Sequence, residues 1–270
     1  MEAKEKLRTP VATTWCPGCS NFGILESMKR ALASLMSQGA KQEDFAMVTG
    51  IGCHGKIFDY LNISGIYGLH GRVLPTALGI KLGNPKLKVI GFSGDGDAYA
   101  EGLGHFVHTM RYNPSLIYIV HDNQTFSLTT GQSTPTSKKG FKSKSEPFGY
   151  FHNSINPIQL ALISGATFIA RCNPLDIEST SKIIEEAIQH NGFSFIEMIQ
   201  NCLIFNNNIQ ETNEKMYKIE KNYERSRAEQ LAKEWDYSSK TGKIPIGVIY
   251  QESQPTLENK LAELKKSASG

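Results

Sequence analysis

The 270-residue chain has no apolar run of the ~18 residues that a membrane helix needs, so no transmembrane segment is expected. It also lacks an excess of either charge: 29 Lys and Arg stand against 26 Asp and Glu. No basic stripe with interleaved aromatics occurs, which removes nucleic acid as an expected partner. Residues 1–8 are charged with no apolar segment behind them, unlike a secretory signal, and cytoplasm is the expected compartment. Internal repeats and low-complexity blocks are missing. With 40% hydrophobic and 20% charged residues, the composition excludes long disorder and a coiled coil and leaves one large domain or two small ones. Cysteines number five, an odd count, and only Cys16 and Cys19 are close together. In a cytosolic chain this pattern points to metal or redox chemistry before disulfides.

Short, β-branched or aromatic runs cover residues 45–50, 88–93, 116–121, 166–170 and 193–199. They are continuous rather than alternating, as suits strands covered on both faces of a parallel sheet. Helical periodicity fills residues 23–37, 97–112 and 176–190. This βαβα order predicts an α/β fold with a doubly wound, mostly parallel sheet. Residues 130–148, with four glycines or prolines and four lysines, are too long for an ordinary connection. They read as a solvated mobile loop, or as a lid whose lysines meet phosphates or an acidic partner. From residue 201 onward charged residues rise to 21 of 70. Residues 211–235 read as one charged helix, 244–250 as a short apolar strap and 257–266 as a weak helix. The predicted division is a core domain over 1–205 and a C-terminal extension over 206–270 that packs on a neighbouring subunit.

Two constellations carry chemistry. Ser93-Gly94-Asp95-Gly96-Asp97 closes one predicted strand and opens a predicted helix, a place where glycines and free N–H groups can receive a phosphate. Alone this is a turn. The next strand, however, ends 28 residues beyond Asp95 in Asn123-Gln124-Thr125, and a carboxylate, an amide oxygen and a backbone carbonyl near Thr125 are the hard oxygen donors that Mg²⁺ takes beside a diphosphate. This pair of segments resembles the thiamine diphosphate motif. The second constellation is Trp15-Cys16-Pro17-Gly18-Cys19, with Cys53 in a glycine-rich loop and Cys202 after the last core strand. Four thiolates suit either Zn²⁺ or a [4Fe–4S] cluster. Cys172 is read as a buried small hydrophobe.

Taken together with Gly50-Ile51-Gly52-Cys53, Leu69-His70-Gly71-Arg72-Val73-Leu74-Pro75, Leu128-Thr129-Thr130-Gly131-Gln132-Ser133-Thr134-Pro135 and the strap Ile244-Pro245-Ile246-Gly247-Val248-Ile249-Tyr250, these segments resemble the beta subunits of 2-oxoacid:ferredoxin oxidoreductases. The start looks more like the 2-oxoglutarate or broad-range branch than the pyruvate branch. The resemblance implies a thiamine diphosphate-binding fold. It implies oxidative decarboxylation of a 2-oxoacid with CoA to acyl-CoA and CO₂, with electrons passing by way of thiamine diphosphate and one [4Fe–4S] cluster to ferredoxin. Cys16, Cys19, Cys53 and Cys202 match the cluster ligands, and Asp95, Asn123 and Thr125 the Mg²⁺ ligands. Ile51, Gly52, Cys53, His54, His70, Gly96, Asp97, Ser127 and Leu128 match the cofactor lining. His70 is expected to orient or protonate the substrate oxygen and Lys56 to hold the substrate carboxylate. A partner alpha subunit is implied, without which the chain is inactive.

Two positions depart from that pattern. Ser20 stands where the family has glycine, harmless unless the turn needs a positive φ. His54 stands where serine is frequent. It is either a hydrogen-bonded loop histidine or a donor and proton carrier beside the cofactors. Two rival readings stay open: a non-oxidative thiamine diphosphate decarboxylase or carboligase with a Cys₄ zinc site, and a non-catalytic cluster-bearing binding subunit.

Overall fold

The computed structural model describes residues 2–238 and 241–268. Its strands are β1 (Phe45–Thr49), β2 (Ser64–Tyr67), β3 (Lys88–Gly94), β4 (Leu116–Asp122), β5 (Phe168–Cys172), β6 (Phe193–Ile199), β7 (Met216–Lys218) and β8 (Ile244–Gln251). Its helices are α1 (Glu2–Lys6), α2 (Asn21–Ser37), α3 (Ile57–Tyr60), α4 (Val73–Gly83), α5 (Leu103–Tyr112), α6 (Pro157–Ser164), α7 (Ile177–Gln189), α8 (Ile209–Lys215), α9 (Arg225–Lys233) and α10 (Leu257–Ala268). The strands form one sheet in the order β2-β1-β3-β4-β6-β5-β8-β7. Every neighbouring pair is parallel except β5 with β8.

Continuous burial along the central strands has a simple cause: each face meets its own layer of helices. In β4, Ile117 and Ile119 enter the core beneath α2 and α7, while Leu116, Tyr118 and Val120 enter the core beneath α4, α5, α6 and α9. Strand side chains alternate with period two, so a strand buried on both sides is apolar at every position. This is the doubly wound α/β architecture expected.

Apart from residues 97–112 and 211–235, the periodic elements fall within two residues of their expected places. Three elements carry no such signal. Strand β2 is exposed at all four positions of the sheet edge. Helices α4 and α6 are apolar with little polar face, so no amphipathic period marks them. Residues 97–112 are not one helix: Asp97–Glu101 is a single π-helical turn, and α5 starts beyond Gly102. Such wide turns are often found at functional sites.

The expected single helix over 211–235 is broken. Between α8 and α9, Met216–Lys218 pairs with Ile244–Ile246 of β8, and the Ile219 N–H donates to the Ile246 carbonyl. Tertiary pairing overrides the helical composition there. The strap is itself a buried strand of the sheet, so residues 206–270 supply two strands to the same sheet as the core. Residues 130–148 are ordered by their own bonds. Thr134, Thr136 and Ser137 are buried, the Gly140 N–H donates to the Tyr150 carbonyl and the Tyr150 N–H to the Phe141 carbonyl, each at 2.7 Å. Lys138 pairs with Glu211 at 3.1 Å. Among the described residues no helix is long and apolar enough to cross a membrane.

Candidate active site

The ends of β1, β3, β4 and β6, four consecutive neighbours, all point the same way. The loops leaving their carboxyl ends therefore converge, which is where open α/β sheets bind ligands. These loops enclose two adjoining cavities.

The first cavity is bordered by all nine residues expected to line the cofactor, Ile51, Gly52, Cys53, His54, His70, Gly96, Asp97, Ser127 and Leu128, together with Asp95, Asn123 and Thr125. Its volume is about 60 Å³. Pockets that enclose a small ligand run to roughly 300–1,000 Å³, so this chain supplies one wall of a site.

Asp95 is buried behind that wall. Thr136 Oγ1 lies 3.0 Å from its Oδ2 and 2.9 Å from Asp122 Oδ1, yet a hydroxyl has one proton to give. Its proton can therefore serve only one of the two carboxylates at a time, and burial, with Asp95 and Glu197 close by, pushes the Asp122 carboxyl well above its ordinary range. Burial raises Asp95 itself to about 6. A cation would reverse that rise. Asn123 Oδ1 accepts the Thr125 N–H at 3.1 Å and Asp122 Oδ1 accepts the Gln124 N–H at 3.2 Å. These side chain-to-backbone turns carry Gln124 to φ +58°, a left-handed conformation held next to the cavity.

Space at the glycine loop is tight. A Cβ on Gly96 would stand 2.2 Å from the Phe126 ring and one on Gly94 2.8 Å from the His54 ring. Only glycine leaves backbone N–H groups open there, as a phosphate cradle requires. Asp97 is the hub of the other side. Its carboxylate accepts from Ser93 Oγ at 2.6 Å and the Gly71 N–H at 2.7 Å, and stands 2.9 Å from His70 Nδ1 and 3.5 Å from His54 Nε2. Burial alone would raise the Asp97 carboxyl, but the bonds from His54, His70 and Ser93 outweigh it and hold it well below the usual range. The bond to Asp97 in turn pushes the His70 imidazole up. His54 borders the first cavity only.

The second cavity, about 180 Å³, is bordered by all four of Cys16, Cys19, Cys53 and Cys202. The Trp15 indole N–H donates to the Cys53 carbonyl at 2.7 Å, tying the Cys-Pro-Gly-Cys turn to the Cys53 loop. Two sulfurs already accept hydrogen bonds: Cys19 from Gln200 Nε2 at 3.6 Å and Cys202 from the Phe205 N–H at 3.4 Å. Burial pushes the Cys19 and Cys53 thiols up, so a strongly electrophilic centre is needed to hold them as thiolates. Among the described residues no three His, Cys, Asp or Glu side chains converge on one ion. The thiols edge a space rather than a point. Cys172 is fully buried in the core, away from this group.

Two positions singled out from the sequence can be placed. Lys56, expected at the substrate carboxylate, borders the thiol cavity and not the first one, with Nζ 3.4 Å from the Thr14 carbonyl. Ser20 has φ −66° and sits as the N-cap of α2; the positive φ of that turn, +81°, belongs to Gly18. Arg72 donates to the Glu101 carbonyl at 3.2 Å. Sequence reasoning missed His121 and Gln200 on the cavity walls and Thr136 behind them. His121 is the last polar residue of an apolar run, a signal that was available; Thr136 carried none.

Comparison with known proteins identifies the family. Residues 50–198 match the family described as thiamine pyrophosphate enzyme, C-terminal TPP binding domain, and residues 202–266 match the family of the C-terminal part of the pyruvate ferredoxin oxidoreductase beta subunit. The beta subunit of a 2-oxoacid:ferredoxin oxidoreductase from a Sulfolobus species is 40% identical over 272 residues, covering 94% of this chain and 87% of the relative. Its counterpart from Saccharolobus solfataricus is 38% identical over 270 residues, with the same coverage of 94% and 87%. A solved 2-oxoglutarate:ferredoxin oxidoreductase from Magnetococcus marinus, with 2-oxoglutarate, coenzyme A and succinyl-CoA bound, superposes with a TM-score of 0.92 at 32% identity, over 99% of this chain and 91% of that one. With its thiamine diphosphate-binding domain and its matching C-terminal segment, the chain belongs to the beta subunits of the 2-oxoacid:ferredoxin oxidoreductases.

Proposed function

We propose that this beta subunit holds magnesium–thiamine diphosphate in the first cavity and a [4Fe–4S] cluster in the second, and that with an alpha partner it converts a 2-oxoacid and CoA to acyl-CoA and CO₂, passing two electrons to ferredoxin. The observation that carries the reading is the shared wall: Cys53, Asn123, Ser127, Leu128 and Gln200 border both cavities. Asp95, Asn123 and the Thr125 carbonyl are the metal ligands. The cradle at Gly94 and Gly96 and the buried, cation-seeking Asp95 support that assignment. Thiamine diphosphate, when bound, supplies the electron sink that lets a 2-oxoacid lose CO₂. The cluster supplies a one-electron carrier.

The chain's own side chains then orient and protonate. Asp97 fixes the His70 ring through Nδ1 and pushes the imidazole up, which favours its protonated form as donor to the substrate oxygen. Lys56 holds the substrate carboxylate as a point charge from the thiol side. Leu128, half exposed at the lip of both cavities, keeps water from the junction. The shallow first cavity supports a partner subunit that closes it, and the Magnetococcus relative supports 2-oxoglutarate or a broader range of 2-oxoacids as substrate. The C-terminal extension over 206–270 packs on that partner, through surfaces its two strands leave free. Free thiols fit a reducing cytoplasm.

A zinc site is the less favoured alternative, because four thiols around a space suit a multi-atom cluster better than one ion bonded at ~2.3 Å to each sulfur. The test is anaerobic co-purification with the alpha subunit, iron and acid-labile sulfide analysis, and a 2-oxoacid panel with CoA and an electron acceptor. Four irons per beta chain and acyl-CoA formation are expected. Zinc in place of iron, or CO₂ release without electron transfer, would sink the proposal.

A further inference from the structure

Five residues border both cavities, and one of them, Gln200, donates a hydrogen bond to sulfur. Asn123 Nδ2 donates to Ser127 Oγ at 2.9 Å, which uses the hydroxyl as acceptor. Its single proton is left to donate, and Cys53, on the same wall, is the thiol whose rise with burial it opposes. From the other side Gln200 Nε2 reaches Cys19 Sγ at 3.6 Å, while the Gln200 backbone is pinned by its N–H to the Asp122 carbonyl at 2.8 Å. Both donors are therefore set by groups that belong to the first cavity, Asn123 directly and Asp122 from behind it. The Phe205 N–H on Cys202 has no such connection, since Phe205 borders the thiol cavity alone.

A reduced cluster carries one more negative charge than an oxidised one. A donor aimed at a ligating sulfur stabilises the more negative state and raises the potential. We propose that Ser127 and Gln200 are positioning residues for the electron-transfer step, each donating from the shared wall to one cluster thiolate, Ser127 to Cys53 and Gln200 to Cys19, and so raising the potential at which the cluster accepts an electron. The inference rests on the cluster reading above and deepens it. It also predicts what a purely structural wall would not: loss of a donor changes redox poise without loss of iron.

The test uses the two-subunit complex purified without oxygen, with iron and sulfide counted per chain and the midpoint potential read by EPR-monitored titration without substrate. Ser127→Ala and Gln200→Leu should each lower the reduced-to-oxidised ratio at fixed ambient potential by roughly tenfold, which is 59 mV downward for a one-electron couple. Ser127→Thr, which keeps the hydroxyl, should titrate with the unsubstituted complex. Full iron with an unmoved potential in both deletions overturns the inference while leaving the cluster assignment standing, and an unmoved potential in one withdraws that residue. If the unsubstituted complex holds neither iron nor sulfide, the cluster assignment itself falls and takes the inference with it. Should Ser127→Ala shed its iron, Gln200→Leu alone decides.

Discussion

Asp95 is a carboxylate whose pKa burial raises to about 6. Removing its charge while keeping its shape isolates the metal's share of cofactor binding. Asp95→Asn should cut magnesium and thiamine diphosphate retained per chain at least tenfold, roughly what one lost ionic ligand costs, measured by elemental analysis and chromatography of the denatured protein. Retention at the original level would refute the metal assignment. A second residue reports on pH. His190 lies beside Thr167 Oγ1 at 2.8 Å, and burial lowers its pKa from 6.5 to about 4. The unfolded chain therefore binds a proton that the folded chain refuses. Its stabilising contribution is complete above about pH 6.5 and is lost as pH falls toward 4. His190→Gln should shrink the drop in Tm between pH 7.5 and 5, as read by calorimetry. At this scale the sequence was informative where chemistry is concentrated in short motifs. Asp95, Asn123, Cys53 and Cys202 follow strand ends, and Cys16 and Cys19 stand in the turn before α2, with glycine or turn residues beside them. Thr136 and Lys56 were harder. Spacing cannot tell that a hydroxyl in a polar loop is buried against two carboxylates, nor on which side of the shared wall a lysine falls.

Among the elements, α2 carries the thiol turn at its N-terminus and packs closely against the loop before α7. A Cβ on Gly23 would lie 2.1 Å from the Pro174 carbonyl oxygen, a backbone atom with no rotamer to yield. Gly23→Ala should destabilise by about 1–3 kcal/mol, the usual cost of overpacking, and shift α2 enough to loosen iron retention. Chemical denaturation with an iron assay checks both. Strand β8 and helix α10 are neighbours in sequence but not in burial. Ile249 is completely buried, whereas α10 has no buried residue. Ile249→Ala should cost about 2–4 kcal/mol and Leu264→Ala less than about 0.5, by the same denaturation measurement. Elements with a period were legible, α2 and α7 above all. The break between α8 and α9 was not, because Met216–Lys218 becomes a strand only when β8, some 26 residues later, lies beside it. Helices α4 and α6 were hidden for the opposite reason: apolar on most sides, they lack the contrast that periodicity detects.

For the molecule as a whole, the four thiols come from three separate stretches of chain, at Cys16 and Cys19, at Cys53 and at Cys202. A centre bonded to all of them would pin the exposed segment around residues 8–14, which is otherwise held by Thr9 on the Asp59 carbonyl and Thr14 on Tyr60. Removing iron with a chelator under reducing conditions should speed tryptic cleavage after Arg8 by roughly tenfold or more, followed by gel, because cleavage there tracks local opening. Equal rates with and without iron would show that the segment owes nothing to the centre. The doubly wound plan was legible because both helix layers leave continuous apolar strands. That residues 206–270 complete the same sheet was not, since a charged tail and a buried strand alternate within it.

The position of β8 has one more consequence. It is the last strand to be synthesised, yet it seals the flank of β5 and separates it from β7. A nascent polypeptide still on the ribosome presents β5 as an open edge until residue 251 has emerged, by which time all four thiols are already outside the exit tunnel. Any metal delivered to the thiols at that stage would meet a sheet not yet closed, and a stop codon shortly before Ile244 yields a chain with all four thiols in place and an unprotected edge, prone to aggregation rather than assembly.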